Sequence, residues 1–462
     1  MKTTFKCFIL LSVFLMIVPA YAIEHQLGGS LRVRALTAGD WTANDNDKSE
    51  DRSVVDSRSM LSYTAKINKD FAVYTIFRIN NTVYGGADDP ARAGIHNVTL
   101  QLKSSYIDFN VNNVNVTVGK QSFFEARGLL LNDVAPGLRV RCPLTDQFSL
   151  DAKWIKFGEG GTGDTAHQDL DTFAFTPVIK INENIKFKPY FWYATSRGMD
   201  SAERTWNCWY SDFRSKIPDP NDPTKDIDIG NFTDLDMYYV GFDFDATMDN
   251  TSVWFTALYQ TGSADVNKAA TNRPAEWGAE TGSLDFTGLA ALGGGSITLG
   301  KTTLSGQLFY ASGDDVEKGK KNDEIDRFIT AEAGYYYWSE IMGLGSNDDC
   351  LVKNTGWSLS NIMGGGVSAS VAASPKLTLN FSLWYAATVE DMVKDTYTVE
   401  ADALGTEVNA GLDYSIMDNL TLSLLGAYIM AGDAMTEENA EGSGVKDGAN
   451  PFYVHSQIKA SF

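Results

Sequence analysis

Leu377-Thr-Leu-Asn-Phe-Ser-Leu-Trp-Tyr385 follows directly on the turn residue Lys376. Side chains of an extended strand alternate between two faces, so Leu377, Leu379, Phe381, Leu383 and Tyr385 share one apolar face, while Thr378, Asn380 and Ser382 share a hydroxyl- and amide-bearing one. The pattern recurs in Ile185-Lys-Phe-Lys-Pro-Tyr-Phe-Trp-Tyr193 after Asn184, Thr251-Ser-Val-Trp-Phe-Thr-Ala-Leu-Tyr259 after Asn250, Thr302-Thr-Leu-Ser-Gly-Gln-Leu-Phe-Tyr310 after Lys301, and Leu420-Thr-Leu-Ser-Leu-Leu-Gly-Ala-Tyr428 after Asn419. In each, a tyrosine stands nine positions beyond the turn.

Nine residues at about 3.4 Å each, tilted by roughly 40°, rise about 23 Å, close to the lipid-facing band of an outer-membrane barrel. The tyrosines then sit at one membrane interface. A soluble antiparallel sandwich also alternates apolar with polar residues. It has no reason to set an aromatic at one fixed height, or to alternate short turns with long loops. A spanning barrel has both reasons, because no backbone group survives unpaired in hydrocarbon.

Eight short turns mark one rim: Asn68 to Asp70, Asn112-Asn113, Pro143 to Gln147, Asn182 to Asn184, Thr247 to Asn250, Gly300-Lys301, Ser374 to Lys376 and Met417 to Asn419. Between them lie long polar excursions near residues 38–52, 85–96, 122–136, 158–169, 196–233, 263–283, 313–352, 390–401 and 432–449. The expected fold is an all-β, antiparallel, up-and-down transmembrane barrel of about eighteen strands with both termini at the short-turn rim. Sixteen strands stays open, because the glycine-rich stretches Phe286 to Gly300 and Ser358 to Gly366 resist phasing.

At the N-terminus Lys2 and Lys6 precede the apolar run Cys7 to Val18 and the small-residue site Ala20-Tyr21-Ala22. The run is too short to span as a helix, which needs roughly 20 residues, and reads as a signal peptide over residues 1–22, leaving a barrel over 23–462. The whole chain carries a net charge of −21, which disfavours nucleic acid. Its acids crowd into the polar excursions. Cys142, Cys208 and Cys350 remain in the mature chain, an odd number; Cys208 and Cys350, both in expected outer loops, either pair or stay free.

The last segment, Phe452-Tyr-Val-His-Ser-Gln-Ile-Lys-Ala-Ser-Phe462, alternates in the same way and ends in an aromatic. Here the chain resembles bacterial outer-membrane porins, whose closing strand with a terminal Phe implies recognition by the barrel-assembly machinery. Val116-Thr-Val-Gly-Lys-Gln121, Tyr310-Ala-Ser-Gly-Asp314 and Tyr335-Tyr-Tyr-Trp-Ser-Glu-Ile-Met342 resemble the large alginate-export and OprD-type channels. The first of these implies an inward-folded constriction loop over Ser122 to Pro136, with Lys120 (where Arg is commoner), Glu125, Arg127 and Asp133 among the candidate pore-lining residues.

Phasing the early strands by their apolar neighbours sets Arg32, Arg34, Arg58, Arg78, Arg139 and Arg141 toward the lumen. A cationic ladder in a narrow aqueous passage favours anions; neutralisation by Asp56, Glu125, Asp133 and Asp151 would remove the preference. Asp219, Asp222, Asp226 and Asp228 gather carboxylates that can hold Ca²⁺, though their spacing is not that of an EF-hand and solvated acidic loops look alike. Gly158-Glu-Gly-Gly-Thr-Gly163 has no following helix and reads as a loop. His25, His96, His167 and His455 stand without a triad, a His-Glu-x-x-His or a Gly-x-Ser-x-Gly, so no enzyme and no cofactor are expected.

The expectation is therefore a passive porin for small hydrophilic solutes, possessing outer-membrane lipid and lipopolysaccharide as surroundings and open to homo-oligomerisation. Two alternatives stand beside it. One is a barrel sheath housing a partner protein such as an electron carrier; the other is a specific channel for acidic oligosaccharides.

Overall fold

The computed structural model describes residues 23–41, 43, 48, 51–85, 99–158, 169–197, 216–219, 222–228, 232–266, 283–313, 324–329, 336–343, 345, 359–390, 392–393, 398–399, 402–436 and 448–462. Eighteen antiparallel strands close into one barrel. They are β1 (Glu24–Gly39), β2 (Arg52–Asn68), β3 (Phe71–Val83), β4 (Gln101–Val111), β5 (Val114–Glu125) and β6 (Leu131–Pro143). There follow β7 (Phe148–Gly158), β8 (Leu170–Phe175, resuming at Val178–Lys180), β9 (Ile185–Arg197), β10 (Phe232–Met248), β11 (Thr251–Val266) and β12 (Ser283–Leu299). The circuit is completed by β13 (Thr302–Ala311), β14 (Ile362–Ser374), β15 (Leu377–Ala387), β16 (Ala403–Met417), β17 (Leu420–Ala431) and β18 (Phe452–Ser461).

Each strand pairs with its chain neighbours, and β1 closes the circuit on β18 from Ser30↔Ser461 to Gly39↔Phe452. Closure leaves no sheet edge to lipid. The break in β8 falls at Pro177, which has no N–H to give to the ladder. The eight short turns lie where the sequence sets them. At one of them the Asn182 side chain accepts the backbone N–H groups of Asn184 and Ile185 at 2.8 Å, an Asx turn. Gly300 takes φ +63° between β12 and β13, a left-handed conformation that glycine adopts without strain.

The outer face is apolar all the way round. Leu308 is 72%, Val367 60% and Phe381 50% exposed, and Tyr259, Tyr310, Tyr385 and Tyr428 stand outward on the same side. Such exposure over a whole circumference is stable only against hydrocarbon. Among the described residues no helix is long and apolar enough to cross a membrane.

The inward face divides into two zones. Toward the short turns it is hydrophilic: Ser252 bonds Ser296 at 2.8 Å, Ser370 bonds Asn380 at 2.9 Å, Asn380 and Ser423 donate to Asp413 at 3.0 and 2.6 Å, and Asn409 donates to Ser382 at 3.1 Å. Toward the loops, inward side chains such as Trp192, Tyr239, Leu258 and Phe286 are fully buried.

Candidate functional site

Two chain segments pack against inward-facing side chains of the barrel wall. The first is the β5–β6 hairpin. β4 pairs with β5 only as far as Ser105↔Lys120, and β6 with β7 only as far as Gly137↔Ile155. Beyond those points Gln121–Glu125 and Leu131–Ala135 pair only with each other. Their tip, the 3₁₀ turn Ala126–Gly128, carries Ala126 and Arg127 at φ +49° and +56°. The Ala126 N–H donates to the Tyr190 hydroxyl on β9 at 3.2 Å. Arg127 donates from Nη2 to Asp245 on β10 at 2.5 Å and from Nε to Thr256 on β11 at 3.0 Å, with its guanidinium carbon 4.5 Å from the Trp254 ring centre.

A buried polar network underlies this tip. The Tyr190 hydroxyl donates to Asp243 at 2.6 Å, and Asp243 also accepts from Thr256 at 2.6 Å. Lys153, fully buried, lies 3.0 Å from Glu125 and 3.1 Å from Asp151. One ammonium thus joins the hairpin to the β7 wall, where a buried charge needs partners of opposite sign.

The second segment belongs to the long excursion between β13 and β14. Ile329 donates its N–H to Gln260 at 2.7 Å and accepts the Tyr239 hydroxyl at 2.8 Å. Farther along, the Tyr336 hydroxyl donates to Gln307 at 3.1 Å. Burial raises the pKa of Tyr336, so this hydroxyl stays protonated and donating. Trp338 packs between Phe309 and Trp384, with ring centres 4.6 and 5.8 Å away. The N–H groups of Glu340, Ile341 and Met342 converge on the Glu407 carboxylate at 2.8, 3.0 and 2.8 Å.

Of the residues expected in the pore, Arg32, Arg34, Arg58, Arg78, Arg139 and Arg141 occupy lumen-parity positions of β1, β2, β3 and β6. Arg34 lies 2.5 Å from Asp56, with Arg32 at 3.9 Å from the same carboxylate. Arg139 Nε donates to Asp151 at 2.9 Å. Arg78 donates to the neutral Gln101 amide at 3.0 Å, and Arg141 forms no ion pair among the described residues. Asp133 accepts its neighbour Val134's N–H at 2.7 Å and, among the described residues, forms no ion pair with an arginine.

Lys120 departs from expectation. Thr117 and Gln121 turn inward and are buried, so strand parity sends the exposed Lys120 outward, on the side of Val118 and Phe124. Its Nζ reaches the Leu102 carbonyl at 3.4 Å. Asp219, Asp222, Asp226 and Asp228 lie on a separate ribbon, Lys216–Asp219 paired with Asp222–Asp228, and among the described residues no group of three or more His, Cys, Asp or Glu comes together to hold a metal. Residues 1–22, His96, His167, Cys208 and Cys350 lie outside the described residues.

Lys153, Tyr190, Gln260 and Glu407 are absent from the sequence-derived candidates. Their common signal is a polar side chain at lumen parity within an apolar outer alternation, as with Glu407 beside the outward Val408.

No family model and no curated protein matches the chain. Solved barrels do match in structure. Acinetobacter baumannii OccAB4 gives a TM-score of 0.55 at 10% identity, over 96% of this chain and 99% of its own. Pseudomonas aeruginosa OccK8 (OprE) gives 0.54 at 10%, over 95% and 98%, and A. baumannii OccAB1 gives 0.53 at 11%, over 95% and 97%. This chain shares their barrel fold. They are OprD-family outer-membrane porins, so the OprD-type resemblance carried by the three short motifs holds at the level of architecture. At these identities likeness speaks for the fold and leaves the solute open.

Proposed function

We propose that the chain is an outer-membrane porin, exported by cleavage of residues 1–22, that passes small hydrophilic solutes by diffusion. The observation that carries this is the pairing of an all-round apolar exterior with a hydrophilic inner wall; in this reading the Ala126–Gly128 tip and residues 336–343, which pack on that wall, narrow the passage. Transport of this kind needs no catalytic group, only a wetted path whose width and potential select what passes.

The passage is proposed to prefer anions. Arg34 and Arg139 are matched by Asp56 and Asp151, but Arg78 faces an amide and Arg141 has no ion pair among the described residues. The uncompensated charge on the β1–β6 arc attracts anions into the lumen. Reversal potentials across a salt gradient, with sugars and organic anions as blockers, test both parts. Anion-side potentials and block by organic anions support the preference; cation-side potentials end it. A sheath around a partner protein would instead stay occluded until that partner was added.

A further inference from the structure

We infer that Glu407 is the positioning residue that sets the width of this passage by holding residues 336–343 against the wall, an inference that rests on the porin reading above. Its carboxylate is fully buried on the lumen side of β16 and receives three consecutive backbone N–H groups, two on Oε1 and one on Oε2. Three consecutive amides aimed at one acid form an anion nest, here filled from within the same chain.

The seat for the segment is built into the wall. Gly294, Gly364 and Gly366 have inward parity on β12 and β14, and a Cβ at Gly294 would lie 2.5 Å from the Trp254 ring and one at Gly364 2.6 Å from Phe309, with Gly366 closer still to Trp384. The missing side chains let three aromatic rings lie flat across neighbouring strands. Trp338 then packs on two of those rings, and Tyr336 is tied to Gln307 on β13, the strand that carries Phe309. The described segment has no regular backbone ladder of its own. Removing the acid takes away three of its anchors at once and leaves three donors, two of them buried, to be met by water, which favours a released segment.

The experiment compares wild type with Glu407→Ala, Glu407→Gln and Trp338→Ala in planar bilayers and in liposome swelling with sugars of graded size. Glu407→Ala is expected to raise single-channel conductance roughly twofold and admit larger sugars. Glu407→Gln, which keeps an acceptor oxygen, should fall between, and Trp338→Ala should resemble Glu407→Ala. Barrel closure is followed separately by the gel mobility of unheated samples. Where the alanine variant does not close, Ser339→Cys reports instead: the 5% exposed Ser339 position should label slowly with a small methanethiosulfonate in the Glu407 background and several-fold faster with Glu407→Gln. Closed Glu407→Ala barrels with wild-type conductance and cut-off, or unchanged labelling, overturn the inference. A wild type that does not conduct overturns the porin reading instead.

Discussion

Arg34 and Asp56 face each other across β1 and β2, with guanidinium Nη2 2.5 Å from carboxylate Oδ2 and both side chains buried. Arg32 approaches the same carboxylate at 3.9 Å, so two cations share one acid. Asp56→Asn keeps the shape and removes the carboxylate that both arginines approach. The expected result is a roughly two- to threefold rise in the anion-to-cation permeability ratio. Reversal potentials that stay put, or move toward cations, contradict it.

Lys153 makes a different demand. It is fully buried between Glu125 and Asp151, and its loss leaves Glu125 buried without a counter-charge. Lys153→Met should lower barrel stability by about 3–5 kcal/mol, whereas Lys69→Met, on an exposed turn side chain, should change it by less than about 0.5 kcal/mol. Urea titrations of folded gel mobility in detergent measure both.

Leu308 and Ser305 on β13 separate lipid from lumen. Leu308 is outward and 72% exposed, while Ser305 has inward parity opposite Ser296 and Ser368. Leu308→Lys should cost about 2–4 kcal/mol if the residue meets the bilayer interior, and Ser305→Lys should cost little. Equal effects in lipid vesicles would refute the assignment of faces.

Arg127 should act on ion flow more than on folding. Arg127→Ala frees the hairpin tip from Asp245, Thr256 and the Trp254 face while leaving the strand ladders intact. Open-channel current noise should rise severalfold with an unchanged unfolding midpoint. A quiet channel, or a barrel that loses stability, would count against the tip as part of the passage.

The periodic part of this fold was legible because each strand exposes its parity in its side chains: Leu377 to Leu383 reads apolar, polar, apolar without a break. Phasing failed where glycine replaces that signal. Gly293 to Gly295 and Gly364 to Gly366 have no side chain to betray inside from outside; at Gly294, Gly364 and Gly366 aromatic rings of neighbouring strands occupy the space a side chain would need, and at Gly295 and Gly365 neighbouring backbone oxygens and Leu308 do. The first arginines were readable by the same parity. Lys120 was misplaced because it was assigned from a short motif, although Thr117 and Gln121 on the same strand point inward. Glu407 was missed for another reason. Its partners are backbone N–H groups about 65 residues earlier, and backbone donors leave no mark in an amino-acid sequence.

One measurement bears on the whole: purified chain, refolded in detergent and added alone to a planar bilayer. Discrete, long-lived conductance steps that scale with bulk salt conductivity are predicted, since the hydrophilic wall would then enclose water from end to end. A chain that stays soluble as a monomer without detergent, or inserts and passes no current, would contradict the claim that its apolar faces meet lipid and its polar faces line an aqueous path.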